Sequence, residues 1–325
     1  MHAREAEALV RPLVWIGFDG RIPPQGTLDL IRAGVSGVIL FARNCGTRDE
    51  TRALIDELRA AAAHPLLLSV DQEGGRVARL TDGFEIFPSL RELAALDETA
   101  VRAFGSRLGA QVRDAGFNIN LAPVLDVDSN PLNPVIGDRS FSRDAETVAR
   151  LGVAMMLGLQ EHVAACGKHF PGHGDTDTDS HFDLPRLSHN RARLDAVELL
   201  PFRAAIAAGI ECIMTTHVVF EAVDPGVPAT MSAKSIQGLL RGELNFNGVL
   251  ISDDLEMKAI ADHFGIGEAA VRAVNAGVDA LLVCHSIERQ REAIEALAKA
   301  VTDGTLSVSR VRSARLRIER LARAR

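Results

Sequence analysis

Eight short apolar runs typical of β-strands alternate with helix-like segments along this chain of 325 residues. Such alternation indicates parallel βαβ units, because neighbouring parallel strands need a crossover connection. Eight units of this kind predict an α/β fold in which the strands close into a (β/α)₈ barrel, the TIM-barrel architecture. The runs are LVWIGFDG from Leu13, SGVILFAR from Ser36, LLLSVDQE from Leu66, FNINLAPVLDV from Phe117, AACGKHF from Ala164, IECIMTTHV from Ile210, NGVLISDD from Asn247 and DALLVCH from Asp279.

The segments between these runs carry helix signals. In TRDETRALIDELRAAAAH, Thr47 and Glu50 form a capping box before an Ala/Leu-rich stretch. The other helix-like segments are DAETVARLGVAMMLGLQEH, RARLDAVELLPFRAAIAAG, SAKSIQGLLRGEL and GEAAVRAVNAG. An open dinucleotide-binding sheet is the rival fold, but its GxGxxG motif after a strand is absent. No linker divides the chain, so we expect residues 1–325 to form a single barrel domain with an extra helix at each end.

Charge and composition restrict the partners. The formal net charge is −7 and 47% of the residues are hydrophobic, which fits a globular protein with a large core and argues against nucleic acid. The basic C-terminal run SRVRSARLRIERLARAR has apolar residues at helical spacing, which predicts an amphipathic helix that packs by its apolar face. These apolar residues are Val311, Ala314, Ile318 and Leu321.

Cysteine usage and hydropathy indicate the compartment. Cys45, Cys166, Cys212 and Cys284 form no CxxC pair, and three of them lie in apolar runs, which is typical of buried, reduced thiols. The beginning of the chain has no apolar core of a signal peptide, and no stretch reaches about 18 consecutive apolar residues. We therefore expect a cytoplasmic protein without membrane contact. We also expect a monomer.

Each predicted strand ends in polar or ionisable residues. Barrel enzymes place their chemistry at these C-terminal strand ends and in the loops that follow them. A single such residue could simply cap a helix, but eight strand ends in succession predict a polar pocket suited to a substrate rich in hydroxyl groups. The residues are Asp19, Arg43, Asn44, Asp71, Glu73, Asp126, Asp128, Lys168, His169, His217, Asp253, Asp254 and His285. Long loops, where substrate contacts concentrate, follow strands three, four and five.

The loop after the fifth strand begins with KHFPGHGDTDTDSH, Lys168 to His181. Its histidines and aspartates are residue types that ligate zinc or iron. However, strand one ends in FDG rather than in the HxH pair of barrel metallohydrolases, and the histidines do not share a helix face as in HExxH. We expect no metal, and a metal-dependent barrel hydrolase remains an alternative.

The same loop can serve in acid/base chemistry. Asp179 and His181 are two residues apart, so the carboxylate can hydrogen-bond the imidazole and raise its basicity. In ISDDLEMKAI, Asp253 lies where an apolar strand meets the pocket and can act as a nucleophile, while Asp254 is predicted to cap the next helix. A carboxylate nucleophile, a separate proton donor and a hydroxyl-binding pocket together describe retaining glycoside hydrolysis, with histidine in place of the usual second acid.

Six motifs extend this interpretation over most of the chain. They are VDQEGGRVARL at 70–80, NLAPVLDVDSNP at 120–131, VIGDRSF at 135–141, KHFPGHGDTDTDSH at 168–181, MTTHV at 214–218 and SDDLEMKAI at 252–260. In these motifs and their order, the sequence resembles glycoside hydrolase family 3, in its exo-β-N-acetylglucosaminidase branch. The resemblance implies a single barrel domain, Asp253 as nucleophile, and His181 with Asp179 as the acid/base pair on a mobile loop. It also implies that the terminal N-acetylglucosamine is bound by Asp71, Arg79, Arg139, Lys168 and His169, with His217 and, more weakly, Asp126 as further pocket residues.

The reaction implied is hydrolysis of a non-reducing terminal β-linked N-acetylglucosamine, with no cofactor. Substrates typical of the branch are muropeptides in peptidoglycan recycling, or chitooligosaccharides. We expect Gly172 and Gly174 to act as hinges of the acid/base loop. The alternatives are a β-N-acetylglucosaminide phosphorylase, since histidine does not repel phosphate, a broader β-glucosidase, catalysis assisted by the substrate acetamide, and a sugar-binding module without turnover.

Overall fold

The computed structural model describes residues 2–177 and 184–325. The strands are β1 (Val14–Ile16), β2 (Gly37–Leu40), β3 (Leu67–Val70), β4 (Ile119–Asn120), β5 (Ala164–Phe170), β6 (Arg186–Leu187), β7 (Cys212–Thr215), β8 (Val219–Phe220), β9 (Val249–Asp254) and β10 (Ala280–Val283). Eight of them are parallel and close into a barrel in the order β1-β10-β9-β7-β5-β4-β3-β2, and β6 and β8 form a separate two-stranded sheet. The predicted (β/α)₈ barrel is confirmed, and each of its strands lies within one of the eight apolar runs.

Helices surround the barrel and lie at both ends of the chain. They are α1 (Ala3–Val10), α2 (Gln25–Arg32), α3 (Arg48–Ala61), α4 (Leu90–Leu93), α5 (Glu98–Asp114), α6 (Ala145–Leu159), α7 (Arg191–Ala196), α8 (Leu199–Ala207), α9 (Lys258–Ala261), α10 (Ile266–Ala276), α11 (Ile287–Asp303) and α12 (Val308–Ala324). Short 3₁₀ segments cover Arg11–Leu13, Gly137–Arg139 and Ala229–Met231. The predicted capping box is present, because Thr47 accepts from the backbone of Glu50 at the start of α3.

Two predicted helices differ from the structure. The segment from Arg191 to Gly209 is broken into α7 and α8. Pro201 explains the break, because a proline lacks an N–H and its ring would collide with the carbonyl of Val197 in a continuous helix. The predicted helix in SAKSIQGLLRGEL has π-type hydrogen bonding over Lys234–Glu243. Neither change moves a strand end that faces the site.

The C-terminal helix closes the base of the barrel, where the strands begin. As predicted, α12 buries Val311, Ala314, Ile318 and Leu321, and the last two contact the apolar cluster inside the barrel. Asp279, which precedes β10, is fully buried and bonds to three guanidinium groups. Asp279, Arg241, Arg310 and Arg317 are called the base cluster below.

Two further sequence expectations concern thiols and membranes. All four cysteines are buried free thiols, as predicted. Across residues 2–177 and 184–325, the helices are too short or too polar to cross a membrane.

Candidate active site

A cavity of about 640 Å³ lies at the C-terminal ends of the barrel strands. Apolar side chains inside the barrel line part of it, namely Ile39, Leu121, Met214 and Leu282. Polar side chains come from two opposite arcs of the barrel. One arc, β3 to β5, provides Asp71, Glu73, Arg79, Arg139, Lys168 and His169; the other, β9, β10 and β2, provides Asp253, Asp254, Glu256, His285 and Arg43. The strand-end pattern in the sequence thus corresponds to a real polar pocket.

Four charged residues on the first arc form an ion network, called the mouth cluster below: Asp71, Glu73, Arg139 and Lys168. Lys168 Nζ lies 2.7 Å from Asp71 Oδ1 and 2.6 Å from Glu73 Oε1. Arg139 binds Glu73 in a bidentate manner, with N–O distances of 2.8 and 2.9 Å. The carboxylate of Glu73 therefore connects two cations that the resemblance assigns to the sugar, whereas the sequence placed Glu73 at the pocket without a specific role.

The protonation states of the mouth cluster follow from these contacts. Burial by itself would raise the pKa of Glu73, but the charges of Arg139 and Lys168 outweigh burial and hold this pKa well below its ordinary value. Burial would likewise lower the pKa of Lys168, but Asp71 and Glu73 raise it. Both residues are therefore charged at neutral pH, and Lys168 can donate to an oxygen in the cavity.

Arg79 and Arg139 differ in how their guanidinium groups are used. Arg139 is held by Glu73, whereas Arg79 approaches the carboxylate of Asp71 only to 3.9 Å. Arg79 Nε is also buried without a hydrogen-bond partner in the described part of the chain. A buried donor without an acceptor is costly. The Arg79 side chain is 28% exposed and lines the cavity, so its other N–H groups can donate to an acceptor there.

His169 is oriented by a carboxylate beneath it. Its Nδ1 lies 2.7 Å from Asp126 Oδ2, and Asp126 also accepts from the backbone N–H groups of His169 and His173. Burial would raise the pKa of Asp126, but the histidines lower it, so the carboxylate accepts and Nδ1 of His169 carries the hydrogen. Asp126 does not line the cavity. The structure places it behind His169, as a residue that orients the ring.

The first part of the loop after β5 is tightly packed. A Cβ on Gly174 would lie 1.7 Å from the carbonyl oxygen of Val127, and a Cβ on Gly172, at φ +147°, would lie 2.9 Å from Glu198 Cβ. His173 lines the cavity, and burial lowers its pKa to about 4. Close packing therefore requires these glycines, and the structure offers no support for the hinges expected from the sequence.

The predicted acid/base pair, Asp179 and His181, lies outside the described residues. Both roles stay predictions. Asp175, just before that stretch, accepts from Ser129 Oγ at 2.8 Å and pairs with His189, just after it. These contacts connect both sides of the stretch to the barrel rim.

Asp253 lies at the end of β9, is partly buried and lines the cavity, and its Oδ1 accepts from the backbone N–H of Asp254 at 2.9 Å. The helix-capping role predicted for Asp254 is wrong, because α9 begins at Lys258 with Met257 as its N-cap. Instead, Asp254 Oδ1 accepts from the backbone of Glu256 at 3.1 Å and of Cys284 at 3.3 Å. It thereby ties the end of β9 to the end of β10.

His217, predicted to bind the sugar, is fully buried and does not line the cavity. Its Nε2 lies 2.9 Å from the carbonyl oxygen of Asp254 and its Nδ1 lies 2.9 Å from Thr230 Oγ1. Burial lowers the pKa of His217, so the ring is neutral and donates to the carbonyl. The structure therefore places His217 beneath the strand end, where it orients the backbone next to Asp253.

The second arc contains residues to which the sequence gave no specific role, although it placed Arg43 and His285 at strand ends that face the pocket. His285 Nε2 lies 3.1 Å from Asp254 Oδ2, its Nδ1 lies 3.2 Å from Arg43 Nη2, and its ring stacks on Phe41 at 5.8 Å. Glu256 accepts from the backbone of His285, and burial raises the pKa of Glu256. Strand-end position was a usable signal for Arg43 and His285, but not for Glu256, which lies beyond the strand.

A metal-dependent hydrolase would need a cluster of metal-ligating side chains. Within residues 2–177 and 184–325, no group of three or more His, Cys, Asp or Glu side chains is arranged to hold a metal ion.

The fold and this cavity define a (β/α)₈-barrel glycoside hydrolase. The sequence profile described as "Glycosyl hydrolase family 3 N terminal domain" matches residues 18–321. The chain belongs to this family, as the motifs predicted. The predictions of the family and of a glycoside hydrolase are confirmed.

Individual relatives and solved structures agree with this family assignment. A "Beta-hexosaminidase" of Thiobacillus denitrificans is 42% identical over 277 residues, covering 83% of this chain and 76% of the relative. A solved family 3 β-N-acetylglucosaminidase from Paenibacillus sp. FPU-7 superimposes with a TM-score of 0.96 at 45% identity, over 98% of this chain and 62% of that chain. The chain thus spans less than two thirds of the Paenibacillus protein. NagZ from Neisseria gonorrhoeae, solved in complex with N-trifluoroacetyl-D-glucosamine, has a TM-score of 0.79 at 31% identity, covering 96% of this chain and 97% of that chain.

Proposed function

We propose that this protein is a retaining exo-β-N-acetylglucosaminidase that hydrolyses non-reducing terminal β-linked N-acetylglucosamine. The observation that carries the proposal is the arrangement of the cavity, in which the carboxylate of Asp253 shares one space with a cluster of hydroxyl-binding groups on the opposite arc. The β-hexosaminidase names of the relatives and the N-acylated glucosamine bound to the gonococcal NagZ support the choice of sugar.

The first arc is suited to holding a sugar ring. Asp71 remains 15% exposed and can accept from sugar hydroxyls, while Lys168 and Arg79 donate to hydroxyl oxygens. His169 lines the cavity with its Nδ1 engaged by Asp126, which leaves Nε2 for the ligand. Arg139 holds Glu73 and so fixes Lys168, in addition to any contact that it makes with the sugar.

Catalysis then needs two steps. In the first, an oxygen of Asp253 bonds to the anomeric carbon while the glycosidic C–O bond breaks and His181 gives its proton to the departing oxygen. In the second, the neutral imidazole of His181 takes a proton from water, the water oxygen bonds to the anomeric carbon, and the carboxylate of Asp253 is released. A histidine with an ordinary pKa near ~6.5 can make both transfers near neutral pH, and Asp179 would hold its ring.

The biological substrate follows as part of the proposal. A terminal N-acetylglucosamine is present in muropeptides released during peptidoglycan turnover and in chitooligosaccharides. We propose muropeptide recycling in the cytoplasm as the setting, with no cofactor and a monomeric enzyme.

The covalent intermediate provides the decisive test. A fluorinated N-acetylglucosaminyl donor that slows the second step should label Asp253, as detected by mass spectrometry of peptides. Asp253→Asn should lower kcat on an aryl β-N-acetylglucosaminide by roughly 10⁴-fold, because the nucleophile is lost. Asp303→Asn, an exposed carboxylate at the end of α11, is the matched control. Turnover by the wild type without any label would instead favour attack by the substrate acetamide.

Three comparisons separate the alternatives. A phosphorylase would release sugar phosphate and accelerate in phosphate, a broader β-glucosidase would cleave aryl β-glucoside at a comparable rate, and a metal-dependent hydrolase would lose activity in chelator. Binding of N-acetylglucosamine without turnover would indicate a sugar-binding module. For the acid/base role, unchanged hydrolysis of an unactivated disaccharide by His181→Ala would contradict the proposal.

A further inference from the structure

Three side chains on the second arc form a continuous chain of contacts that ends beside Asp253. Arg43 Nη2 lies 3.2 Å from His285 Nδ1, and His285 Nε2 lies 3.1 Å from Asp254 Oδ2. The three residues come from the ends of β2, β10 and β9. The sugar-binding roles implied by the resemblance all fall on other residues.

The direction of these hydrogen bonds is determined by chemistry. A guanidinium group can only donate, so Nδ1 of His285 must accept from Arg43. An ionised carboxylate can only accept, so Nε2 must carry the hydrogen and donate to Asp254. Both bonds are satisfied together by the neutral ring with its hydrogen on Nε2, the form present above the pKa of His285, which the hydrogen bond to Asp254 raises. Arg43 is itself held by the backbone carbonyls of Phe18 and Cys284, at 3.1 and 3.0 Å.

Asp254 connects this chain of hydrogen bonds to Asp253. Its carboxylate accepts from the backbone N–H groups of Glu256 and Cys284, and its carbonyl accepts from His217. Its own backbone N–H donates to Asp253 Oδ1 at 2.9 Å. Asp254, whose N–H contacts the carboxylate of Asp253, is therefore held in place at its side chain and at its carbonyl.

We infer that Arg43, His285 and Asp254 form a relay that positions the carboxylate of Asp253 for attack. None of the three needs to touch the reacting atoms, so they are positioning residues. The inference rests on the proposed function, in which Asp253 is the nucleophile. Misplacing a reacting group by about 1 Å can cost about 10²-fold in rate, so loosening this relay should slow the first chemical step.

The first experiment replaces the ring of His285. His285→Phe keeps a ring that can stack on Phe41 but removes both nitrogen contacts. We expect the rate of labelling of Asp253 at saturating fluorinated donor to fall by about 10-fold to 10²-fold, with inhibition by N-acetylglucosamine unchanged. His285→Gln, whose amide can donate to Asp254, should recover part of the rate.

The outcomes of this experiment separate two roles for the second arc. A raised KM and weaker N-acetylglucosamine inhibition, with an unchanged labelling rate, would mean that His285 contacts the sugar and would overturn the relay. Equal rates in wild type, Phe and Gln variants would overturn it as well. His64→Gln, on a partly buried histidine that bonds to the carbonyl of Val35, is the control for histidine replacement.

A second measurement tests the relay without activity. NMR spectra of the wild-type protein with isotope-labelled histidine rings, recorded at alkaline pH, should show His285 with hydrogen on Nε2 and none on Nδ1. The His285→Gln spectrum assigns the signals. Hydrogen on Nδ1 would overturn the relay even in an active enzyme, whereas the expected tautomer in a protein that hydrolyses nothing would leave the relay geometry intact and refute the proposed function.

Discussion

The barrel buries charge at both of its ends, and the two clusters use their hydrogen-bonding capacity differently. In the base cluster, Asp279 Oδ1 accepts from Arg310 and Arg317, and Oδ2 accepts from Arg241 and from the backbone of Leu250. In the mouth cluster, Asp71 and Lys168 bond to each other and also line the cavity. In the base cluster both oxygens of Asp279 are engaged by protein donors, whereas the mouth cluster faces a cavity on one side.

Contact with the cavity separates charged groups that only stabilise the fold from charged groups that can bind a ligand. Burial lowers the pKa of Arg241 to about 10, which leaves it charged at neutral pH, so the fully buried Asp279 is matched by cations that bind both of its carboxylate oxygens. Such a cluster holds α12 against the barrel, and the buried carboxylate at its centre already accepts four hydrogen bonds from the protein. The mouth cluster keeps donors and an acceptor directed at the cavity, and Arg79 beside it has a buried donor without a partner in the described part of the chain. Hydrogen-bonding groups that face a cavity, rather than burial or charge, distinguish the mouth cluster from the base cluster.

The largest effect is expected at the base. Asp279→Asn leaves three guanidinium groups without their counter-charge, and breaking a buried ion pair in this way costs about 3–5 kcal/mol of unfolding free energy. Urea unfolding at neutral pH measures the loss. The activity per folded molecule should stay at the wild-type level, since Asp253 lies at the other end of the barrel. Lost activity at an unchanged unfolding midpoint would contradict the comparison.

The next effect is a pH dependence at the mouth. Burial lowers the pKa of His173 from 6.5 to about 4, so between these values the unfolded chain binds a proton that the folded protein does not. Stability therefore falls as the pH drops through this interval, by about 3 kcal/mol in total. His173→Gln should flatten the unfolding free energy over the same interval, measured by urea unfolding at a series of pH values. An unchanged slope would show that the ring is not kept neutral.

At the mouth cluster the main loss should be in activity. Asp71→Asn removes the charge that accepts from Lys168 and, in the proposed function, from sugar hydroxyls. We expect kcat/KM on an aryl β-N-acetylglucosaminide to fall by about 10²-fold, while the loss of unfolding free energy stays below that of Asp279→Asn. Asp29→Asn, an exposed carboxylate on α2, is the matched control. A variant that loses stability but keeps kcat/KM would place Asp71 with the structural charges.

The smallest effects compare two arginines on α12. Arg317 lies 3.2 Å from the buried Asp279, whereas Arg315 lies 3.4 Å from Glu319, which is 43% exposed. Arg317→Ala should cost about 1.5–3 kcal/mol of unfolding free energy, because a hydrogen bond to a buried charge is lost. Arg315→Ala should cost less than about 0.5 kcal/mol, as expected of a surface pair. Equal losses in thermal unfolding would remove the distinction between the two pairs.

Much of the fold could be predicted because its signals are local. Each barrel strand lies within a short apolar run, and the capping box of α3 and the apolar stripe of α12 are set by residues a few positions apart. Pro201, which separates α7 from α8, is also a local signal, but the predicted continuous helix did not take it into account. The short sheet of β6 and β8 could not be predicted in this way, because its two-residue strands have no pattern of their own.

For the candidate site, the sequence predicted the types of residue and their positions at strand ends. It did not predict which side chains contact one another or face the cavity. Strand-end position identified Asp71, Lys168, His169 and Asp253, and the structure brings all four to one cavity. Strand-end position also placed His217 in the pocket, although its ring lies beneath the cavity and does not line it. Which way a strand-end side chain points depends on barrel closure, and the alternation of residues along a short strand does not determine it.

By itself, the sequence determined the (β/α)₈ class, the end of the barrel that carries the chemistry, and the family. Only the tertiary structure decided that Glu73 connects Lys168 to Arg139 and that Asp254 ties β9 to β10. The physical reason is the distance along the chain between the residues that interact. Periodicity and capping arise between residues that are neighbours along the chain, whereas these pairings join residues far apart in sequence, which meet only when the barrel closes.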